Sequence, residues 1–519
     1  MNLYVARDRA MDSSLPEHGT FSDTYRRFSG ALAGVSEPTP PSPRPGVRER
    51  LVRCLWFDQT FDSESFRTAG GEKVRVLTPG WWNLEKGPDF LKAAVRIGRG
   101  ETLHGDVEVH VYASDWTRHG HQSDPAYSSV ILHVVFWNDL QEAAVRNVAG
   151  AVVPIAELAP FVSTPVDELA ETVDSSEYPE LAPTSSGPCR EALTTRVRPA
   201  DWLGRFLDAA GDERILRKKE RMEVRVGGRA LDEALYEGLA EQLGAKQNRA
   251  QMLQLARLAP YPVLRQIASL RSEGAALRCQ AVLFALSGLL PAKDEHAVGD
   301  GESAEHLFRL HEEWESVCSL FSADAMSARQ WCFSSTRPVN FPTRRIAALG
   351  ALVAASASRG LLQTLLDMLQ CEKTDRTARV RHLWLRWLEN LPDQFWSRRC
   401  TFTGKVFARP VRLIGKDRAN ALLVDVVLPA LLLHARLTSD RPLERLIHAL
   451  FTRYPVLPES TVTRFMKRRL FGDRGDGEKI ISSARRQQGL YQLFHDCCEK
   501  GDLACRRCIL VSAVNQGAL

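Results

Sequence analysis

The chain has 519 residues, of which 44% are hydrophobic and 25% charged, a balance that supports large buried cores and excludes a disordered or collagen-like protein. Its 68 Lys+Arg against 63 Asp+Glu leave a net charge of only +5, so any affinity for a polyanion must come from local clusters. Eleven cysteines at no regular spacing, and a first stretch "MNLYVARDRAMDSSLPEHG" without an apolar core, point to a reducing, cytoplasmic setting and not to a disulfide framework.

Residues 1–46 close on "SEPTPPSPRPG", which cannot donate a regular backbone ladder and is predicted to be a flexible segment and linker. From residue 47 the texture changes. "RERLVRCLWFD" sets Leu51, Leu55 and Trp56 at helical spacing. "KVRVLTPG", "FLKAAVRIG", "DVEVHVYA", "SVILHVVFW" and "GAVVPIAEL" are short, β-branched and bounded by Gly, Pro, Asn or Asp, the pattern of strands. Residues 47–165 are therefore expected to form an α/β domain on a mixed sheet. The acidic, Ser- and Pro-rich residues 166–194 are expected to be a second linker. From 195 to 519, apolar residues recur at intervals of three and four, so a mainly α-helical domain is predicted. Its longest apolar run, "ANALLVDVVLPALLLHA", is broken by Asp425 and Pro429 and suits a buried helix better than a membrane span.

The chemistry concentrates in the sheet. Alternation along "GDVEVHVY" puts Val107, Val109 and Val111 on one face and Asp106, Glu108, His110 and Tyr112 on the other. Nineteen residues before Glu108, "GPDF" delivers the Asp89 carboxylate from a turn to the mouth of a strand. Two carboxylates so placed are expected to share Mg²⁺ or Mn²⁺ with substrate phosphate oxygens, a phosphodiesterase arrangement.

A helix with Glu49, a "PD" at Pro88 and Asp89, and a strand with Glu108, Val109 and His110 together resemble the PD-(D/E)xK nuclease superfamily. That resemblance implies a restriction-endonuclease-like fold and a nuclease acting on DNA or RNA. It implies Glu49, Asp89, Glu108 and His110 as catalytic residues, with Asp89 and Glu108 on the metal. His110 stands where that pattern has Lys; an imidazole titrating near neutrality accepts a proton from water more readily than an ammonium does. The stretches "PGWWNLEKGPDFLKA", "GDVEVH", "DWTRHGHQSDPAYSSVILHVV", "QQGLYQLFHDC" and "CRRC" also resemble a bacterial family of unknown function, over most of residues 47–519.

A second enzymatic reading uses imidazoles. An H-x-H pair in an extended segment would point His119 and His121 to one side, so that with His110 and His133 they form a zinc or manganese site. His133, inside the apolar "VILHVVFW", also reads as a hydrogen-bonded core histidine. Within the nuclease reading His119 and His121 touch phosphate, and Asn83 orients the loop before "GPDF" or contacts substrate. Arg217, Lys218 and Arg221, in a basic run from Arg214 to Arg225, are the helical candidates for a phosphate backbone, against the alternative of a solvated helix face. His495, Cys498, Cys505 and Cys508 offer soft donors for a structural Zn²⁺ or remain free thiols. A non-catalytic sheet domain that binds nucleic acid or protein is the competing class.

Overall fold

The computed structural model describes residues 21–22, 24–27, 47–83, 87–140, 142–162, 188–195, 201–244, 248–271, 273–293, 300–321, 324–333, 338–370, 376–391, 393–472, 479–498 and 508–516. The chain divides into two compact units. One comprises Glu37–Ser186 with Ser460–Arg469, the other Met1–Ser36, Gly187–Glu459 and Leu470–Leu519.

The first unit is the expected mixed sheet. Helix α1 (Glu49–Asp58) leads to strands β1 (Val74–Thr78), β2 (Trp81–Trp82), β3 (Phe90–Ile97) and β4 (Thr102–Tyr112). A short helix α2 (Asp115–Arg118) then precedes β5 (Val130–Trp137), β6 (Ala144–Arg146) and β7 (Val152–Glu157). The spatial order is β1-β3-β4-β5-β7-β6, with β2 paired to β3. Strands β1, β3 and β4 form an antiparallel meander, whereas β4/β5 and β5/β7 are parallel. Parallel neighbours need a crossover, and the stretch between β4 and β5 supplies it.

Alternation decides what each face meets. Leu51, Val52, Leu55 and Trp56 form the apolar stripe of α1, and they pack with Phe90, Val95, Val107, Val109, Leu132 and Val134. The helix stops where Gln59 turns left-handed at φ 54°. On the other face the crossover lays Trp116 and Tyr127 over Val135, Val153 and Ile155. Glu108 and His110 lie on that second face and are buried with it, so the polar side of β4 is interior to the unit.

Gly105 sits where β4 leaves the meander and comes against β5. A Cβ there would meet Ile131 Cγ2 at 2.4 Å and the Ser129 carbonyl at 2.6 Å. Gly105→Ala is expected to destabilise the sheet unit by about 1–3 kcal/mol through this forced displacement, read as a lower urea midpoint.

The second unit is helical around one large core. Its 25-residue helix Trp202–Val226 lies against Ala484–Asp496. Contact is close because Gly211 and Gly489 carry no Cβ; one added at either would come within 2.2 Å of the Arg485 or Leu207 carbonyl oxygen. The run from Arg214 to Arg225 is turned to this packing. Arg217 pairs with Glu213 and Asp496, Lys218 with Asp425, and Arg225 with Glu241. These cations answer carboxylates of their own unit, and the exposed Arg221 is engaged as well.

Residues 1–46 are not featureless. Phe21 and Tyr25 are buried, and the Ser22 amide donates to Asp212 at 3.0 Å. Residues 166–187 lie outside the described residues, while Pro188–Thr195 is helix. Lys416–Leu437 is the one helix among the described residues long and apolar enough to cross a membrane, and 72% of its most apolar window is buried. It widens into a π turn at Leu423–Val427 just before Pro429, whose missing N–H removes a regular helical bond.

Candidate metal centre

β4 carries Glu108 and His110 two residues apart, so both point to the crossover face. The crossover brings the other donors. His119 ends α2, Gly120 turns left-handed at φ 80°, and His121 opens a 3-10 turn. The H-x-H pair is therefore not extended, as its sequence suggests; the left-handed glycine folds the two imidazoles back toward β4. Gly120 has open space around its missing side chain, so Gly120→Ala meets only the backbone penalty. We expect a loss of about 1–2 kcal/mol, measurable by thermal melting, together with weaker metal uptake.

His110 Nε2 is the focus. It lies 3.1 Å from His119 Nδ1, 3.3 Å from His121 Nε2 and 3.4 Å from Glu108 Oε1. His121 Nε2 is also 3.3 Å from Glu108 Oε1. The donor atoms of His110, His119 and His121 all fall within 4.8 Å of one another. Ligand atoms about 2.0–2.1 Å from a tetrahedral ion stand roughly 3.3 Å apart, close to the spacing of His110 Nε2 from the His119 and His121 nitrogens. His119 is exposed while His110 and His121 are buried, so the cluster opens to solvent on one side.

Each donor is held from behind. His110 Nδ1 bonds His133 Nε2 at 2.9 Å, the outer contact that fixes an imidazole's tautomer and direction. His133 is thus both the core histidine and a support. His121 stacks on Tyr127 with ring centres 3.8 Å apart, and Trp116 packs edge-on to it. Glu108 Oε2 accepts the Asp89 amide at 3.0 Å, and Asp89 Oδ2 accepts the Val109 amide at 3.1 Å. The two carboxylates expected to share a cation are therefore neighbours, latched to each other's backbone.

Between them stands a cation of the chain itself. The Arg53 guanidinium lies 2.9 Å from Asp89 Oδ1 and pairs with Glu49 one turn earlier on α1. Glu49 and Asp89 meet at Arg53, and Glu108, which accepts the Asp89 amide, lies within its field. The Glu49-x₃-Arg53 spacing was the available sign of this, since residues four apart share a helix face.

Burial shapes the protonation states. It keeps His110 neutral far below the usual imidazole range, helped by the neighbouring imidazoles, and lowers His133 to about 3. His121 is lowered by the same cause. Burial also pushes Glu108 up to about 8, against the pull of Arg53 and the Asp89 amide. Neutral imidazoles are the form a divalent ion requires, whereas Glu108 holds its proton near neutrality and would release it on binding one. Three imidazole nitrogens suit Zn²⁺ or Mn²⁺ better than Mg²⁺, which takes oxygen donors, and Glu108 Oε1 lies beside two of them.

The remaining candidates lie elsewhere. Asn83 Nδ2 donates to the Pro88 carbonyl at 2.8 Å, so it orders the turn that presents Asp89. In the helical unit Cys497 and Cys508 are buried and share a thiol hydrogen bond that, with burial, raises Cys497. Cys498 is half-buried and His495 ends its helix, whereas Cys505 lies outside the described residues.

No curated protein and no solved structure matches the chain. A family model described as "Protein of unknown function (DUF2851)" matches residues 49–456, taking in both the histidine cluster and much of the helical unit but not the terminal cysteines. With that span of its length matched, the chain belongs to the DUF2851 family of proteins of unknown function.

Proposed function

We propose that the sheet unit is a metal-dependent hydrolase that cleaves phosphodiester bonds of nucleic acid, with Zn²⁺ or Mn²⁺ held by His110, His119, His121 and Glu108. The observation that carries it is the group of three imidazoles, with His119 Nδ1 and His121 Nε2 at 3.1 and 3.3 Å from His110 Nε2, Glu108 Oε1 at 3.4 Å from the same atom, and one side open to solvent. When bound, such an ion supplies Lewis acidity and a more acidic water.

The chain's own groups have distinct tasks. His133 keeps His110 Nε2 directed at the donors, Tyr127 fixes the plane of His121, and the Asp89 amide holds one Glu108 oxygen so that the other faces the imidazoles. Arg53 holds Asp89 and Glu49 in register with α1. The choice of phosphodiester is supported by the Glu49 helix, the "PD" before β3 and the Glu108 strand that carry the nuclease resemblance, followed by a short helix and a further strand. The scattered, irregular spacing of the cysteines supports a cytoplasmic location.

The test is cleavage of labelled single- and double-stranded DNA and RNA by metal-stripped protein, alone and after adding Zn²⁺ or Mn²⁺. Cleavage that returns with metal and is absent from a His119→Ala, His121→Ala double variant is expected. A metal-loaded protein that cleaves none of these substrates would refute the assignment and leave a binding module.

A further inference from the structure

The face of the sheet that carries Glu108 and His110 extends beyond the crossover. Register places its members. Thr102, His104 and Asp106 share the β4 parity of Glu108; Ala94 stands opposite His104, Arg96 opposite Thr102, and Arg75 opposite Arg96. Trp81 pairs with Leu91, while Trp82 packs among Phe57 and Phe90 on the α1 side, so Trp81 faces the same way as Arg75 and Arg96.

Among the described residues, the side chains around the buried Ala94 on this half of the face are open to solvent. Arg75, Lys92, Arg96 and His104 are exposed, and Trp81 is 75% exposed. Two arginines directly opposite on neighbouring strands repel each other and weaken the pairing. Among the described residues neither they nor Lys92 has an ion-pair partner, and Arg96 makes one hydrogen bond, to Thr102 Oγ1 at 3.2 Å. The carboxylate on this stretch of β4, Asp106, is engaged: it accepts the Lys92 amide at 3.0 Å and the Ser129 hydroxyl at 2.5 Å. The first of these bonds holds Lys92 left-handed at φ 57°, a conformation a lysine rarely adopts.

The bulge of β3 and the bond to Asp106 account for the lysine's backbone, but fold stability does not explain like charges placed opposite or an open indole. A polyanion with flat rings explains both. We propose that the open half-face is the track of a single-stranded nucleic acid, with Arg75, Arg96 and Lys92 on its phosphates and Trp81 as a stacking platform for a base. His104 is four residues up β4 from Glu108, about 13 Å at the rise of a strand, so the track leads along β4 to the metal centre. The inference rests on the nuclease reading of that centre and names its substrate as a single strand.

Binding is measured without metal, so that it is separate from cleavage. Fluorescence anisotropy of labelled oligo-dT in the presence of chelator is followed between about 50 and 200 mM salt. Arg75→Gln with Arg96→Gln is expected to weaken binding about tenfold or more and to flatten the log–log salt slope by about 1.4, two phosphate contacts at about 0.7 each. Trp81→Ala is expected to weaken binding and leave the slope unchanged. Arg441→Gln, an exposed arginine of the helical unit, is expected to change neither.

Unchanged affinity in the arginine pair, with circular dichroism showing a folded protein, overturns the track. So does equal affinity for duplex DNA, or binding to phosphatidylserine vesicles without binding to oligo-dT. If oligo-dT binds as expected but no metal restores cleavage, the track stands and the nuclease reading falls.

Discussion

Replacing His121 by Ala should lower Zn²⁺ affinity by at least about 100-fold, more than the loss of an outer-shell contact usually brings. Competition with a chromophoric chelator measures it. His121 Nε2 faces both His110 Nε2 and Glu108 Oε1, so its loss removes one corner of the donor set and both of those contacts. His133→Phe should fall in the range of about 10–100-fold, because it leaves every donor in place and only frees the tautomer of His110. Asp89→Asn should lose stability and retain zinc. The reverse order, with Asp89→Asn abolishing uptake of Mg²⁺ or Mn²⁺ and His121→Ala leaving it intact, would return the ion to the two carboxylates.

Arg53→Ala should destabilise the sheet unit by about 3–5 kcal/mol, the range seen when one partner of a buried ion pair is removed. Asp89 and Glu108 are both nearly fully buried, and Arg53 is the cation that opposes the burial penalty on each. Urea unfolding at neutral pH reads the loss. A pH series adds a second signature in metal-stripped protein. Glu108 is raised to about 8 from 4.5, so the folded state holds the proton through that window while the unfolded state has released it. Stability therefore falls as pH rises between those values, and in Arg53→Ala the fall should extend to higher pH, because Arg53 lowers Glu108 in the folded state. Added Zn²⁺ should flatten it, and a profile indifferent to metal would place the ion away from Glu108.

Much of the fold was legible because periodicity reports burial. The Val107/Val109 alternation and the Leu51/Leu55/Trp56 stripe located β4 and α1, and the change to three- and four-residue spacing located the helical unit. The site was legible as a set of residues but not as an arrangement. Glu108 and His110 follow from strand parity. That His119 and His121 return to them depends on the left-handed turn at Gly120, and a lone glycine in a polar loop does not announce its φ. Nor does composition reveal that Arg53 stands among the carboxylates, or that the basic run near Lys218 faces Asp425, Asp496 and Glu241. Those partners lie from 16 to 279 residues away in sequence, and only packing brings them together.

The donors come from one strand and the crossover that leaves it, all within residues 108–121. An ion seated there staples β4 to its own exit, closing a short loop that contains the exposed Thr117, Arg118 and His119. The loaded protein should then resist trypsin at Arg118, and the stripped protein should be nicked there first, so that a protease reports occupancy without any substrate.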